Sequence, residues 1–329
     1  MFSFTEIVGH EQIKEHMQAA IRDKKPFHAY LFQGEEGVGK EALARTFAAG
    51  LQCQSESADK PCKECVSCRQ MESGNQPDVI WVTREKASLG VDEIREQLCN
   101  TMDIKPFSSP YKIYLVPEAE KMTEAAQNAL LKTIEEPPEY GIVILMTSNI
   151  SALLPTIQSR CLTMEFRPLS TAVVESYVKE HCQVPDYQAR ASAAFAQGNM
   201  GRAIMLATSE HFNEIKEEAV QLLKYINEME LNEIVSAIKE INKYKLEVTD
   251  YLDLITVWYR DVLLYKATKE AGKVVFSDQL TYIKEKASKS SYEGIEIILD
   301  SIEKAKTRLK ANVNFDLVME LLLLTIKEN

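Results

Sequence analysis

The front half of the chain alternates short apolar runs with amphipathic segments. The apolar runs occupy residues 29–33, 79–83, 112–116 and 142–147. Runs of this length are typical of strands that are buried on both faces of a parallel sheet. Residues 11–21 and 123–135 instead repeat apolar residues at helical spacing, with Thr123 placed as an N-cap and Pro137 as a stop. Alternating strands and helices predict a three-layer α/β core.

The back half of the chain shows a different pattern. All eleven prolines lie at or before Pro185, and proline is the residue that most strongly interrupts helices. Apolar residues recur beyond it at helical spacing in three groups, which are Ile215, Ala219, Leu222, Leu223 and Ile226; Ile234, Ala237, Ile238 and Ile241; and Leu317, Leu321 and Leu324. The pattern predicts packed helices whose stripes form a domain core, and it leaves open an oligomer interface for some of them.

Composition and charge narrow the class of protein. The chain has 329 residues, 45% of them hydrophobic, which allows two or three domains. Lys plus Arg total 38 against 49 Asp plus Glu, a net charge of −11 that disfavours a dedicated nucleic-acid reader. We find no signal-peptide pattern and no apolar run long enough for a bilayer, so a cytoplasmic location without membrane contact is expected. Seven cysteines then favour metal binding or buried thiols over disulfides.

A glycine-rich loop follows the first apolar run. The segment from Gly34 to Glu41 matches the phosphate-binding pattern G-x-x-x-x-G-K-[ST] except at its last position. Gly34, Gly37, Gly39 and Lys40 are therefore the candidate nucleotide-binding residues. In a working loop, backbone N–H groups and the lysine bind phosphate while the Ser or Thr hydroxyl ligates Mg²⁺. Glu41 places a carboxylate where that hydroxyl should be.

A second magnesium ligand is missing further along the chain. The strand expected at residues 112–116 should end in an acidic pair, in which Asp holds the metal and Glu polarises water. Pro117 occupies the aspartate position, followed by Glu118. Glu118 could still act as an acid, or it could be a solvated loop carboxylate. Because both losses concern the same ion, we expect a degenerate phosphate loop that does not bind ATP productively.

Four of the cysteines form a compact cluster. Cys53, Cys62, Cys65 and Cys68 follow the spacing C-x8-C-x2-C-x2-C. Four thiolates suffice for a closed tetrahedral zinc site, and an iron–sulfur cluster is the alternative because C-x2-C spacings also serve ferredoxins. No catalytic position would remain open. Cys99, Cys161 and Cys182 are expected to be core thiols.

Three further segments indicate a family. The run Asn128-Ala-Leu-Leu-Lys-Thr-Ile-Glu-Glu-Pro-Pro138, the phrase His28-Ala-Tyr-Leu-Phe32 and the motif Ser159-Arg160-Cys161 resemble the clamp-loader branch of the AAA+ proteins, which serves bacterial DNA polymerase III. The resemblance is dense from about Phe4 to Arg202 and thinner beyond. It implies an AAA+ type α/β domain at residues 1–166 with a structural zinc module at 53–68, a small helical lid at 167–207 and an all-α, oligomerising collar at 208–329.

The resemblance also implies roles for single residues. Arg160 would act as an arginine finger, reaching across a subunit boundary to stabilise charge on ATP held by a neighbour. The family's lid motif Gly-Ser-x-Arg-x-Ala reads here Gly198-Asn-Met-Gly-Arg-Ala203, so Gly201 stands in place of the arginine. Arg202 lies one residue later, about 100° around a helix, and is expected to point elsewhere as a helix-surface charge.

The leading interpretation is a non-hydrolysing subunit of a sliding-clamp loader that acts in DNA replication. Its expected partners are ATPase subunits and a delta-like subunit in a hetero-oligomeric ring, with the sliding clamp and primer-template DNA contacted through the assembly. Zinc is the expected structural cofactor. Two alternatives stay open: an active DNA-dependent AAA+ ATPase that uses Lys40 and Glu118, and a zinc-dependent nucleic-acid binding module.

Overall fold

A computed structural model describes residues 3–57, 59–84, 86–244, 248–311 and 313–329. The chain forms two compact units. The first comprises residues up to Leu169 together with Asn199–Gly201, and the second comprises Ser170–Gly198 and Arg202–Asn329. The predicted division into domains at 1–166, 167–207 and 208–329 stays a prediction.

The first unit is built on a five-stranded parallel sheet. The strands are β1 (Ala29–Gln33), β2 (Val79–Trp81), β3 (Lys112–Val116), β4 (Gly141–Thr147) and β5 (Leu162–Glu165). Their order across the sheet is β2-β3-β4-β1-β5, so β1 lies between β4 and β5. The register places Ala29 opposite Val143. The four predicted strands are confirmed, although β2 ends at Trp81, two residues before the apolar run does.

Helices cover both faces of this sheet. They are α1 (Glu11–Arg22), α2 (Lys40–Gln52), α3 (Val66–Glu72), α4 (Val91–Ile94), α5 (Asn100–Met102), α6 (Glu124–Glu135) and α7 (Pro155–Gln158). The side chains of β1 alternate between two apolar clusters: Tyr30 and Phe32 pack with α1 and α2, whereas Leu31 packs with α6. Both faces of the sheet are buried under apolar side chains, which explains the continuous apolar runs. The Thr123 hydroxyl accepts the Ala126 N–H at 3.2 Å, as its predicted cap role requires.

The regular secondary structure of the second unit is helical in its described residues. Its helices are α8 (Thr171–His181), α9 (Asp186–Ala196), α10 (Met200–Thr208, which begins in the first unit), α11 (Glu210–Tyr225), α12 (Leu231–Ile241), α13 (Val248–Thr268), α14 (Leu280–Lys289), α15 (Tyr292–Lys310) and α16 (Phe315–Glu328). One apolar cluster joins α9 through α16 around Trp258 and Tyr259. None of the helices in the described parts of the chain has the length and apolarity that a membrane crossing requires.

The structure corrects one of the predicted stripes. The groups on α11 and α12 face the core as predicted, but on α16 Leu317 and Leu321 are 51% and 47% exposed. The core face of α16 is instead formed by Val318, Met319, Leu322, Leu323 and Ile326. Because α16 is apolar on most sides, helical spacing alone selects more than one possible face.

Candidate functional site

The phosphate loop joins β1 to α2 at the edge of the sheet where the strands end. Gly37 and Gly39 have φ angles of 83° and 101°, which a side chain would strain, and α2 begins at Lys40 directly after them. The local sequence therefore builds the strand–loop–helix turn of a nucleotide site. The structure brings the candidate residues Gly34, Gly37, Gly39 and Lys40 together in this turn.

The Lys40 ammonium group is bound to the loop itself. Its Nζ donates hydrogen bonds to the carbonyl oxygens of Gly34 at 2.5 Å and Glu35 at 2.6 Å. Burial lowers the pKa of Lys40, an effect partly offset by the carboxylates of Glu120, Glu36 and Glu35. A phosphate would have to displace these carbonyls before it could use the lysine.

The segment Asn199–Gly201 closes over the same loop. Asn199 Nδ2 donates to the Glu36 carbonyl at 2.5 Å, and the Gly201 N–H donates to the Gly37 carbonyl at 2.9 Å. A Cβ atom on Gly201 would lie 2.9 Å from the Cα atom of Gly37. The position that carries an arginine in the lid motif is thus so close to the loop that only glycine fits without a shift of the backbone.

The side chains at the positions that should ligate magnesium either pair with an arginine or have no ligand atom. The Glu41 carboxylate pairs with Arg45 at 3.0 Å, one turn further along α2. Pro117 offers no side-chain oxygen, and Glu118 pairs with Arg84 at 2.6 Å. Both carboxylates are thus held by an arginine, and the position of the metal-binding aspartate has no ligand atom.

A cavity of about 400 Å³ lies between the loop and the ends of β3 and β4. Its lining includes one lysine, Lys40, and four glutamates, Glu36, Glu41, Glu118 and Glu120. A triphosphate placed there would face more negative than positive charge. The electrostatics of the cavity therefore oppose nucleotide binding without a metal ion.

Glu120 is fixed at the rim of this cavity. Its carboxylate accepts hydrogen bonds from the hydroxyl of Ser148 at 2.5 Å and from its N–H at 3.3 Å. Burial alone would raise the pKa of Glu120, but the hydrogen bonds, first of all from Ser148, lower it below its usual value. The nearby Thr147 hydroxyl accepts the Asn149 N–H at 3.1 Å.

Arg160 lies just beyond α7 on a different part of the first unit. Its side chain is 38% exposed and pairs with Glu135, the last residue of α6, at 2.7 Å. Its Nη1 donates to the Thr156 carbonyl at 2.9 Å. Next to it, Cys161 packs against the apolar cluster of that face, and burial raises the pKa of its thiol to about 12. The motif thus places a partly exposed guanidinium next to a cysteine that packs against the core.

Gln127 ties α6 to the segment that precedes α7. This side chain is 3% exposed, and its amide donates to the carbonyl oxygens of Met122 at 3.2 Å and Ala152 at 3.0 Å. Its carbonyl accepts the Leu154 N–H at 2.7 Å. This buried amide therefore fastens α6 to the segment before α7, the helix that Arg160 follows.

Gln127→Ala should lower the free energy of unfolding of the first unit by about 2–4 kcal/mol, because buried backbone groups lose their partners. The chain has two tryptophans, Trp81 in the first unit and Trp258 in the second, so urea unfolding in a Trp258→Phe background reports on the first unit alone. Asn128→Ala, at the next and exposed position of α6, is the matched control. Equal midpoints for the two variants would contradict the fastening role.

The four clustered cysteines converge on one point. Their Sγ atoms all lie within 4.8 Å of one another, and those of Cys62 and Cys68 are 4.0 Å apart. Tetrahedral zinc with Zn–S bonds of 2.3 Å sets its sulfurs about 3.8 Å apart. The N–H groups of Cys62, Cys65 and Cys68 each donate to a sulfur of the cluster at 3.4 Å. These four cysteines could hold one metal ion.

The thiols of this cluster differ in acidity without a metal. Burial raises the pKa of Cys68 and of Cys53. Burial alone would also raise the pKa of Cys62, but hydrogen bonds, chiefly from the N–H of Cys65, lower that pKa to about 6. Close sulfurs cannot all ionise unless a cation compensates their charge.

Comparisons with known proteins identify the family of the chain. The family described as DNA polymerase III, delta subunit, matches residues 9–170, and the one described as DNA polymerase III, delta subunit, C terminal, matches residues 206–328. The DNA polymerase III subunit delta' of Bacillus subtilis (strain 168) is 31% identical over 94% of this chain and 93% of its own length. The chain belongs to the DNA polymerase III clamp-loader family.

Two further proteins that are similar to this clamp-loader chain differ in how much of their own length it covers. The DNA polymerase III subunit tau of Bacillus subtilis (strain 168) is 30% identical over 96% of the chain, which spans 60% of the length of tau. A solved structure of a gamma subunit-related DNA polymerase III protein from Thermotoga maritima aligns over 95% of this chain and 98% of its own, with 20% identity and a TM-score of 0.45.

Family membership, the parallel sheet and the helical second unit confirm the predicted AAA+ type fold class of this clamp-loader subunit. Sequence reasoning located the phosphate loop, the cysteine cluster and Arg160, but it missed Asn199, Gln127 and the partner of Arg160. Asn199 stood in the lid motif and Glu135 in the run from Asn128 to Pro138, whereas Gln127 stood in neither. Arg202, expected to point elsewhere, forms ion pairs in the second unit with Asp250 at 2.8 Å and Asp253 at 3.1 Å.

The other three cysteines of the clamp-loader chain lie apart from the metal-type cluster. Cys99 packs against the same apolar cluster as Cys161. Cys182 is partly buried at the end of α8, and burial raises the pKa of its thiol. This placement fits the expected core role for Cys99 and Cys161 better than for Cys182.

Proposed function

We propose that this chain is a non-hydrolysing, delta-prime-like subunit of the clamp loader, and that it supplies Arg160 to ATP held by a neighbouring ATPase subunit. The observation that carries the proposal is the contrast between its two sites. Lys40 is bound to its own loop and both magnesium ligands are lost. The guanidinium of Arg160, in contrast, stays partly exposed beside α6 and α7. The chain would thus assist hydrolysis without performing it.

The proposed partners follow from this role. The chain would join ATPase subunits and a delta-like subunit in a hetero-oligomeric ring that loads the sliding clamp onto primer-template DNA. The exposed apolar residues Leu317 and Leu321 on α16 suit a collar contact with such subunits. The net charge of −11 supports contact with DNA through the assembly instead of through this chain alone.

Zinc is the proposed ion of the cysteine cluster. The mutual distances of the sulfurs suit one tetrahedral ion, whereas a four-iron cluster is larger and needs ligands that stand further apart. Bound there, zinc would serve as a structural cross-link. The donor set is closed, so the site would take no part in hydrolysis.

The isolated chain should bind Mg-ATP with a Kd of about 1 mM or weaker, because the charge of the cavity repels the triphosphate. A Kd of about 1 mM corresponds to a binding free energy of about −4 kcal/mol. Titration with a fluorescent ATP analogue and magnesium measures this directly. The double variant Glu41→Thr with Pro117→Asp restores both metal ligands and should bind more tightly in magnesium than in EDTA. Micromolar binding with turnover by the unaltered chain would favour an active ATPase instead.

The trans-acting role has its own test. Arg160→Ala removes the guanidinium, and ATP hydrolysis is then measured in an assembly reconstituted with the ATPase subunits of the same organism.

A further inference from the structure

The guanidinium of Arg160 is held by its own chain through one ion pair and two hydrogen bonds, the longer of which runs from Nη1 to the Ser159 hydroxyl at 3.3 Å. Nη2 pairs with Glu135 Oε1 at 2.7 Å, and Nη1 donates to the Thr156 carbonyl oxygen at 2.9 Å. A guanidinium has five N–H donors in one plane. These three contacts fix that plane and leave other donors available for an oxyanion from outside.

Glu135 itself is well placed to define the position of Arg160. It is the last residue of α6, and Gln127 fastens the other end of the same helix to the segment before α7. The carboxylate is therefore part of a rigid element, whereas an unrestrained arginine side chain samples many rotamers. Thr156 belongs to α7 and Ser159 directly follows it, so all three contacts come from helices or from their ends.

We propose that Glu135 is a positioning residue for Arg160, holding the guanidinium in the orientation in which it meets the γ-phosphate of ATP on a neighbouring subunit. The proposal rests on the trans-acting role proposed above. Glu135 acts through the arginine and does not contact the nucleotide. The pair is partly exposed, with side chains 38% and 44% accessible, so Glu135 contributes orientation without burying a charge.

Glu135→Ala in the reconstituted assembly should lower kcat at the neighbouring site by about two- to fivefold, the range that corresponds to an exposed ion pair. The apparent KM for ATP should stay unchanged, because the arginine acts on charge that develops in the transition state. Glu135→Gln keeps an acceptor oxygen and should restore most of the rate. Glu136→Ala is the control: the structure shows no ion pair for this adjacent exposed carboxylate within the residues it describes.

The double variant Glu135→Ala with Arg160→Ala separates this inference from the proposed function. If Glu135 acts through the arginine, the double variant hydrolyses ATP no more slowly than Arg160→Ala alone. An equal loss in both backgrounds, or no loss for Glu135→Ala, would overturn the positioning role. If instead Arg160→Ala leaves the rate unchanged, the proposed function itself fails.

The restraint that Glu135 places on the Arg160 side chain can also be measured in the isolated chain. The Arg160 Nε–Hε resonance, assigned by its loss in Arg160→Lys, should broaden or shift in Glu135→Ala but not in Glu136→Ala. An unchanged resonance would mean that Glu135 does not restrain the guanidinium, whatever the outcome of the kinetic experiment.

Discussion

Arg160→Ala should reduce ATP hydrolysis at the neighbouring subunit's site by about 10³- to 10⁵-fold, the range known for arginines supplied in trans. The alanine variant should fold and join the assembly normally, because the ion pair that it removes is partly exposed. Charge builds on the γ-phosphate oxygens in the transition state, and a planar guanidinium stabilises it through paired N–H donors. Single-turnover hydrolysis in the reconstituted assembly measures the loss site by site.

Two further variants sharpen this experiment. Arg160→Lys keeps the positive charge but loses the planar fork, so an intermediate rate is expected. Arg167→Ala removes an arginine of the same unit that is 78% exposed and pairs with Glu165, and it should leave hydrolysis unchanged. If Arg160→Ala and Arg167→Ala gave the same rates, the trans-acting role would be excluded.

The fold was predictable where burial is complete. The strands β1 and β3 have the predicted bounds because their residues are buried on both faces, which leaves an unbroken apolar run. The edge strand β5 escaped prediction because Leu162, Thr163, Met164 and Glu165 alternate between partly buried and exposed positions. Four residues of weak alternation cannot be told from a loop.

The candidate site divides in the same way between local and distant features. The phosphate loop and the cysteine cluster are each encoded in a short stretch, so spacing alone reveals them. The contact of Asn199 with Glu36 joins residues 163 positions apart, and Gln127 meets Leu154 across 27 positions. Such pairs depend on how helices pack on the sheet, and one sequence carries no signal for that packing.

The cysteine cluster gives the largest expected effect on the fold of the first unit. Cys65→Ser should reduce bound zinc from one ion per chain to almost none, since a thiolate ligand cannot be replaced by a hydroxyl at similar affinity. Cys65 is also the N-cap of α3, where its sulfur accepts the Cys68 N–H at 3.4 Å. Losing the ion should therefore unfold the insertion from Cys53 to Cys68 locally, because structural zinc contributes directly to folding free energy.

Metal analysis and amide hydrogen exchange measure the two consequences separately. Elemental analysis of the purified chain should find zinc and not iron, which also distinguishes the ion from an iron–sulfur cluster. Exchange in Cys65→Ser should accelerate across residues 53–72 while the strands of the sheet stay protected, because their apolar clusters do not depend on the metal. Cys182→Ser, in the second unit, is the matched control and should keep both zinc and protection. Full zinc content and unaltered exchange in Cys65→Ser would show that this cysteine is not a ligand.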